Sequence, residues 1–140
     1  MNDWTKTKPR CVLRGSEPYA SPQGAVYAPG VSAQTAGSKT LFLGIVTLPA
    51  GQRTKAHVHE RHESAMHMLS GENVELWWGE QLENHETAFP GDYLFIPAGM
   101  PHVAVNRSAS QPAIFVGARN EATAEESLHL RPDLDGKVPA

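Results

Sequence analysis

The feature that most constrains the fold is a series of short apolar segments separated by turns that contain glycine and proline. The clearest segment, residues 40–48, is rich in β-branched and aromatic residues and ends at Pro49-Ala50-Gly51. Such a run between turn residues predicts a β-strand. Further candidate strands follow at short spacing, at residues 57–60, 65–69, 74–78, 87–88, 93–96, 102–105 and 113–118. Many short strands with frequent turns predict an all-β sandwich or barrel.

Length and composition narrow the class of protein. The 140 residues suit one domain that can bury a core without disulfides, and the single cysteine, Cys11, is typical of a reducing compartment. A net charge of −3 without a basic cluster argues against nucleic acid and anionic membrane surfaces as partners. The first ten residues lack the apolar core of a signal peptide, and residues 41–46 form an apolar run too short to span a bilayer. We therefore expect a cytoplasmic protein.

Histidines are concentrated in one part of the chain. His57 and His59 alternate in a predicted strand, so both imidazoles face one side with Cα atoms about 6 to 7 Å apart. Glu63 follows closely, and His102 comes after a Pro-x-Gly turn far along the sequence. Three imidazoles and one carboxylate would suit Mn, Fe, Co, Ni, Cu or Zn better than Ca or Mg. Clustered histidines can also form a simple surface patch.

A resemblance to a known family strengthens the metal interpretation. Gly91, Pro97, Gly99, His102 and Asn106 match every fixed position of the pattern Gly-x5-Pro-x-Gly-x2-His-x3-Asn. This pattern resembles the second conserved motif of the cupin superfamily.

The first cupin motif, Gly-x5-His-x-His-x3,4-Glu-x6-Gly, resembles the segment that contains Gly51, His57, His59 and Glu63. The resemblance implies an antiparallel double-stranded β-helix, or jelly-roll barrel, over residues 40–118. It also implies one divalent transition metal, of unknown identity, held by His57, His59, Glu63 and His102. Outside the barrel we expect an N-terminal arm, 1–39, whose short strands pack on the barrel or on a partner, and a C-terminal tail, 119–140, with a loosely ordered end.

One ligand position has two solutions. The closing glycine, Gly71, comes one residue later than the spacing from Glu63 requires. Either a bulge absorbs the extra residue and Glu63 faces the metal, or the inward face runs through His62 and Ser64 and His62 becomes the ligand. We favour Glu63, because its distance from His59 is the one found in the family.

Two further residues are candidate substrate contacts. His67 would share the face of Glu63 in a regular strand, where a non-ligand imidazole could act as a general base. Met100 lies where the barrel mouth is expected. The sequence assigns no catalytic residue.

The leading functional hypothesis is a metal-dependent enzyme that acts on a small oxygenated molecule, of a dioxygenase, decarboxylase or isomerase type. The alternative is a cupin that binds a small ligand or metal without turnover. A metal-free sugar-nucleotide epimerase is disfavoured, because a full set of ligands would then have no use. We also expect a homodimer, since residues 41–48, Val103, Val105 and residues 114–116 offer more apolar surface than one small barrel can bury.

Overall fold

The computed structural model describes residues 4–124 and 126–140. Within these ranges the chain forms eleven strands and three short helical segments. The strands are β1 Tyr19–Ala20, β2 Val26–Val31, β3 Phe42–Leu48, β4 His57–His59, β5 Ser64–Ser70, β6 Val74–Trp78, β7 Asn84–Ala88, β8 Tyr93–Ile96, β9 His102–Asn106, β10 Ala113–Arg119 and β11 Leu128–Leu130. The helical segments are α1 Trp4–Thr7, α2 Ala33–Ala36 and a 3₁₀ helix at Pro132–Lys137. None of these helices combines the length and the apolar character needed to cross a bilayer.

The strands form two antiparallel sheets that close on each other. The six-stranded sheet has the order β1-β2-β3-β10-β5-β8, and the five-stranded sheet has the order β11-β4-β9-β6-β7. Strand alternation decides which side chains enter the space between the sheets: on β3, Phe42, Val46 and Leu48 are buried there, whereas Leu43 and Ile45 face out. This is the double-stranded β-helix, or jelly roll, that the sequence predicts, and the prediction of fold class is confirmed.

The N-terminal segment extends the chain's own six-stranded sheet. Strand β2 pairs with β3 and places Tyr27 opposite Val46. Tyr27 is buried in the main core, where its ring meets Tyr19 edge-on at 5.8 Å between centroids. Residues 19–31 therefore help to build the interior in which the site described below lies.

The C-terminal segment is more ordered than the sequence suggests. Strand β11 pairs with β4, and the 3₁₀ helix sets Leu134 and, after it, Val138 into a second apolar cluster with Val103 and Val105 of β9. The sequence analysis assigned Val103 and Val105 to a subunit contact, but only 1% and 4% of these residues is exposed, because the chain covers them itself. Burial of apolar side chains on the outer face of a sheet is energetically favourable, and here the C-terminal end of the chain buries them.

Candidate metal centre

Three histidines from two strands of the five-stranded sheet converge at one end of the barrel. His57 and His59 alternate on β4, and His102 begins β9 as the direct cross-strand partner of His57. All three are buried, and one ligand nitrogen from each lies within 4.8 Å of the others. The structure therefore brings together three of the four residues that the sequence nominates, and this cluster fits a metal site.

The turn before β9 explains why a distant residue reaches the cluster. Gly99 has a φ of 78°, in the left-handed region that favours glycine, and its N–H donates to the carbonyl oxygen of His59 at 2.8 Å. The turn is thereby fastened to β4. At the other end of β9, buried Asn106 donates through Nδ2 to the carbonyl oxygens of Leu48 and Gln111, at 3.0 and 2.9 Å. Its role is structural, because it ties together the loops at the far end of the strand.

Backbone carbonyls orient each ring of the cluster. The Nδ1 atoms of His57, His59 and His102 lie 2.6, 3.1 and 3.0 Å from the carbonyl oxygens of Lys55, Glu126 and Met100, respectively. A carbonyl oxygen only accepts, so Nδ1 carries the proton in each neutral ring and Nε2 keeps a lone pair. This arrangement, in which the second ring nitrogen is fixed by a hydrogen bond, is the usual one for metal-binding histidines.

Burial keeps the rings neutral. Desolvation lowers the pKa of His57 to about 4, and the same cause lowers the pKa of His59 and, more strongly, that of His102. Neighbouring imidazoles add to the effect on His57 and His102, because a second positive charge in the cluster would repel the first. Three unprotonated imidazoles near neutral pH are a ready set of metal ligands.

The structure does not bring Glu63 into the cluster. Strand β5 begins at Ser64, and its burial alternates so that Ser64 and Met68 face the interior while Glu63, just before the strand, is exposed. The backbone N–H of Glu63 donates to Asn120 at 3.1 Å on the outside. The inward face thus runs through His62 and Ser64, the second of the two solutions left open by the spacing to Gly71. The Glu63 side chain is thus exposed in this structure, whereas the preference for Glu63 counted from His59 rather than from the register of β5.

His62 lies beside the cluster. Its ring centroid is 4.6 Å from that of His59, and its Nδ1 is 3.4 Å from the hydroxyl oxygen of Ser127. Its Nε2 is buried and finds no hydrogen-bond partner in the described part of the chain. Desolvation, aided by His59, lowers the pKa of His62 to about 4. A buried nitrogen without a partner is costly. His62 nevertheless lies outside the group of three histidines whose ligand atoms are all within 4.8 Å of one another.

The two candidate substrate contacts lie elsewhere. His67 shares the face of Glu63, as the alternation requires, and that face is the outer one, where its ring stacks on Tyr93 at 4.5 Å. Met100 contributes to the cluster only through its carbonyl oxygen, which accepts from His102. The Met100 side chain lines a separate open cavity of about 540 Å³ together with Trp78, at the gap between β7 and β8. Neither residue lines the cavity that holds the histidines.

That cavity is small, about 60 Å³, and mostly apolar. Phe42, Val46, Met66 and Ile96 are among its walls. Its polar lining includes residues that the sequence analysis did not single out. These are Gln23, Tyr27, Thr54, Ser64, Arg119 and Glu126.

Arg119 and Glu126 form a buried ion pair in this cavity. Arg119 Nη1 lies 2.9 Å from Glu126 Oε1, and both side chains are almost fully buried. The guanidinium also donates to the carbonyl oxygens of Glu121 and Thr123, and it lies 3.7 Å from the centre of the Phe42 ring. Glu126 in turn accepts from His59 through its backbone, so the pair is joined to the histidine cluster. A signal for Arg119 exists in the sequence: it follows Ala113, Phe115 and Gly117 at the inward spacing of β10.

The donor set indicates which ions fit. Imidazole nitrogens suit Zn, Cu, Fe, Ni, Co and Mn, whereas Ca and Mg require oxygen ligands. Three protein ligands with space beside them are typical of catalytic sites, which keep a position open. The three histidines therefore fit a metal site.

Comparison with known proteins agrees with the geometry. A family model described as "Cupin domain" matches residues 44–117, more than half of the chain. None of the curated proteins matches the sequence significantly. Among solved structures, the protein TT1209 from Thermus thermophilus is 30% identical, with a TM-score of 0.53 over 68% of this chain and 83% of that one.

Two similar structures are enzymes. The polyketide cyclase RemF from Streptomyces resistomycificus is 21% identical, with a TM-score of 0.61 over 76% of this chain and 72% of RemF. Bacillus subtilis oxalate decarboxylase, a protein with Mn(II) centres, is 19% identical, with a TM-score of 0.63; the match covers 77% of this chain but only 28% of the decarboxylase. At these identities the likeness shows the fold alone. The family match, which spans more than half of the chain, carries the assignment: this protein belongs to the cupin family.

Proposed function

We propose that this cupin is a metal-dependent enzyme that acts on a small oxygenated molecule. His57, His59 and His102 hold one divalent transition metal, and His62 adds a fourth imidazole. The observation that carries the proposal is the orientation of the three buried rings, whose Nδ1 atoms each face a backbone carbonyl. The unpartnered Nε2 of His62 supports the fourth ligand. Glu63 is left out of the ligand set because its side chain is exposed.

The cavity sets the conditions for chemistry. When bound, the metal would supply Lewis acidity toward an oxygen atom of the substrate, in an oxygenase, decarboxylase or isomerase type of reaction. Phe42, Val46 and Ile96 exclude water around that oxygen. The volume of about 60 Å³ restricts the reacting part of the substrate to a few heavy atoms.

Elemental analysis of protein prepared without chelators or a metal-binding tag tests the metal site. We expect about one equivalent of a transition metal, and none in a His57→Ala/His102→Ala variant. The matched control is His129→Ala, because His129 is an exposed histidine of the adjacent strand β11 whose ring pairs with the exposed Glu60. Full metal content in the double variant would overturn the proposal.

Substitutions of the adjacent residues His62 and Glu63 distinguish the two possible sets of metal ligands. We expect His62→Ala to weaken metal affinity at least tenfold and Glu63→Ala to leave it unchanged. The opposite result would restore Glu63 as the ligand and remove His62.

Turnover distinguishes an enzyme from a binding module. Metal-loaded protein is incubated with small carboxylic acids, keto acids and diketones, and products are sought by mass spectrometry. Conversion that needs bound metal and is absent from the His57→Ala/His102→Ala variant is expected. Thermal stabilisation by one of these compounds without any product would instead identify a module that binds and does not catalyse.

We also propose that the chain forms a homodimer through the outer face of the six-stranded sheet. One row across this face runs Ile45, Val116, His67 and Tyr93 on four adjacent strands. A second row contains Leu43, Ala118, Ala65 and Phe95. Neither row contains Asp, Glu, Lys or Arg, and Leu43, Phe95 and Tyr93 are 45%, 58% and 78% exposed.

The size of this face supports a second copy as the occupant. The six strands are two to seven residues long. At about 4.8 Å between strands and 3.3 Å per residue, the face covers roughly 500 Å² in projection. That is about two thirds of the roughly 800 Å² that each partner buries in a stable complex. A face without charges is complementary to itself, as a two-fold contact requires.

A further inference from the structure

The proposed ligand set lacks negative charge. All four imidazoles are neutral when they bind a metal, and Glu63 points away from the site. The other charged residues among those lining the cavity are Arg119 and Glu126, which neutralise each other at 2.9 Å. A divalent ion would therefore leave a charge of about +2 in a small cavity with apolar walls. An uncompensated buried charge is strongly unfavourable, so an anion is needed as a ligand.

Arg119 is placed to receive such an anion. Its guanidinium has five N–H groups, of which three serve Glu121, Thr123 and Glu126. The planar face lies on Phe42, which holds the group in position. The two remaining N–H groups belong to Nη1 and Nη2. The Tyr19 hydroxyl is close enough to interact with the guanidinium, but a neutral hydroxyl is a weaker partner for a planar guanidinium than a carboxylate.

Gln23 adds a second polar contact to the same cavity. It is almost completely buried, and its Nε2 donates to the hydroxyl oxygen of Tyr27 at 2.7 Å. Its Oε1 has no hydrogen-bond partner among the described residues. An acceptor held in this way favours a ligand that carries a hydroxyl or another donor beside its charged group.

We propose that the cavity binds a small carboxylate, of about two to four carbons given a volume of about 60 Å³, with its carboxylate on Arg119 and an oxygen directed at the metal. This inference rests on the proposed function and names the substrate class of that site. Glu126 is the internal competitor, because its carboxylate occupies the same guanidinium when the cavity is empty of ligand.

If Glu126 and the ligand compete for Arg119, substitutions of Arg119 and of Glu126 should have opposite effects on anion binding. Arg119→Met removes the cation and should weaken anion binding. Glu126→Gln keeps the shape and the backbone carbonyl that holds His59, removes the competing charge and should strengthen anion binding. A role of the pair in stability alone would not produce opposite effects on binding.

Isothermal titration calorimetry of the Zn²⁺-loaded protein tests this with acetate and its neutral isostere acetamide. We expect acetate to bind at least tenfold more tightly than acetamide, Arg119→Met to reduce acetate affinity at least tenfold, and Glu126→Gln to raise it severalfold. Glu63→Gln serves as the control, because it removes an exposed carboxylate outside the cavity. Equal binding of acetate and acetamide, or unchanged acetate binding in Glu126→Gln, would overturn the inference.

Two further measurements distinguish failure of the anion subsite from failure of the proposed metal site. Metal content is measured for every variant, so that failure of the wild-type protein to take up metal counts against the proposed function and not against the anion subsite. In metal-free protein, acetate binding is expected to weaken but to keep its opposite responses to the two substitutions. If Arg119→Met does not fold, the increase in acetate affinity of Glu126→Gln becomes the deciding measurement. Absence of that increase would contradict the proposed anion subsite.

Discussion

Both sheets of this barrel carry apolar side chains on the outside, but among the described residues the chain covers only those of the five-stranded sheet. On the five-stranded sheet, Leu134 and Val138 seal Val103 and Val105. On the six-stranded sheet, rows of apolar side chains between Leu43 and Tyr93 remain exposed. The covered sheet carries the three histidines of the metal centre, and the exposed sheet carries Arg119 on its inner face.

The two sheets illustrate two ways to bury an apolar surface: against another segment of the same chain, or against another molecule. Cover by the same chain is permanent, and it holds the strands beneath it at a fixed position, as a metal site needs. Several hydrogen bonds fix this cover: Asp135 accepts from the N–H of Ala56 at 2.7 Å, directly before His57. A surface that the chain leaves exposed is available for another molecule.

Removing the cover should have the largest effect. Leu134→Ala leaves a cavity over β9, and we expect the free energy of unfolding to fall by about 2 to 5 kcal/mol, as measured by denaturant titration. Leu69→Ala, on the exposed face of the other sheet, should change it by less than about 0.5 kcal/mol. Similar losses for the two variants would mean that the sheets are not protected differently.

The histidines should make the covered sheet sensitive to acid. Burial lowers the pKa of His57 from about 6.5 to about 4. Between these values the unfolded chain binds a proton that the folded chain does not, so stability falls as pH falls from 6.5 to 4 and levels off below. For one ring this amounts to roughly 3 kcal/mol. Unfolding of the metal-free protein at several pH values checks this; a His57→Gln variant should show a shallower slope, and a flat profile would contradict the assignment.

Loosening the cover at its end should have a smaller effect. Arg53 donates to the carbonyl oxygens of Val138 and Pro139 at 2.9 and 3.0 Å. Arg53→Met removes both bonds in a partly exposed position, and we expect a loss of about 1 kcal/mol. Hydrogen exchange should show faster exchange confined to residues 131–140. An unchanged exchange pattern would show that Leu134 and Val138 hold the segment unaided.

A charge on the exposed face should affect the fold of each subunit least. Ile45→Lys lies in the centre of the charge-free row, and we expect it to convert a dimer into a monomer in light scattering. Circular dichroism should stay unchanged, because this position faces out. The control is Lys39→Ala, at the border of the sheet. A wild-type protein that is already monomeric at micromolar concentration would contradict the proposed interface.

The sequence predicted the fold class and most of the cluster from local information. Alternation in His57-Val58-His59 places both rings on one face whatever the surroundings. The left-handed φ at Gly99 and the buried amide of Asn106 explain why the second motif has those residues. Both features depend on backbone geometry within a few residues, which is the kind of information that a motif preserves.

Errors arose where register or long-range packing decides. Glu63 and His62 are adjacent, and a shift of one residue exchanges inside for outside. The ladder between β5 and β10 does shift register near Leu69, where Ile114 pairs with Ser70 and Phe115 with Met68, yet Glu63 stays exposed. His67 shares the face of Glu63, as the alternation predicts, and stacks there on Tyr93. Gln23 had no signal at all, because a short edge segment reveals neither its register nor its neighbours.

The sequence by itself determined an all-β cupin with a histidine cluster, since strand alternation, turn residues and motif spacing are local properties. Only the tertiary structure decided that His62 is buried and Glu63 exposed, that Arg119 and Glu126 meet in the cavity of the cluster, and that the chain's end covers one sheet. Each of these depends on which surfaces meet after closure of the barrel, where the free energy of burial selects among arrangements that local propensity leaves equal.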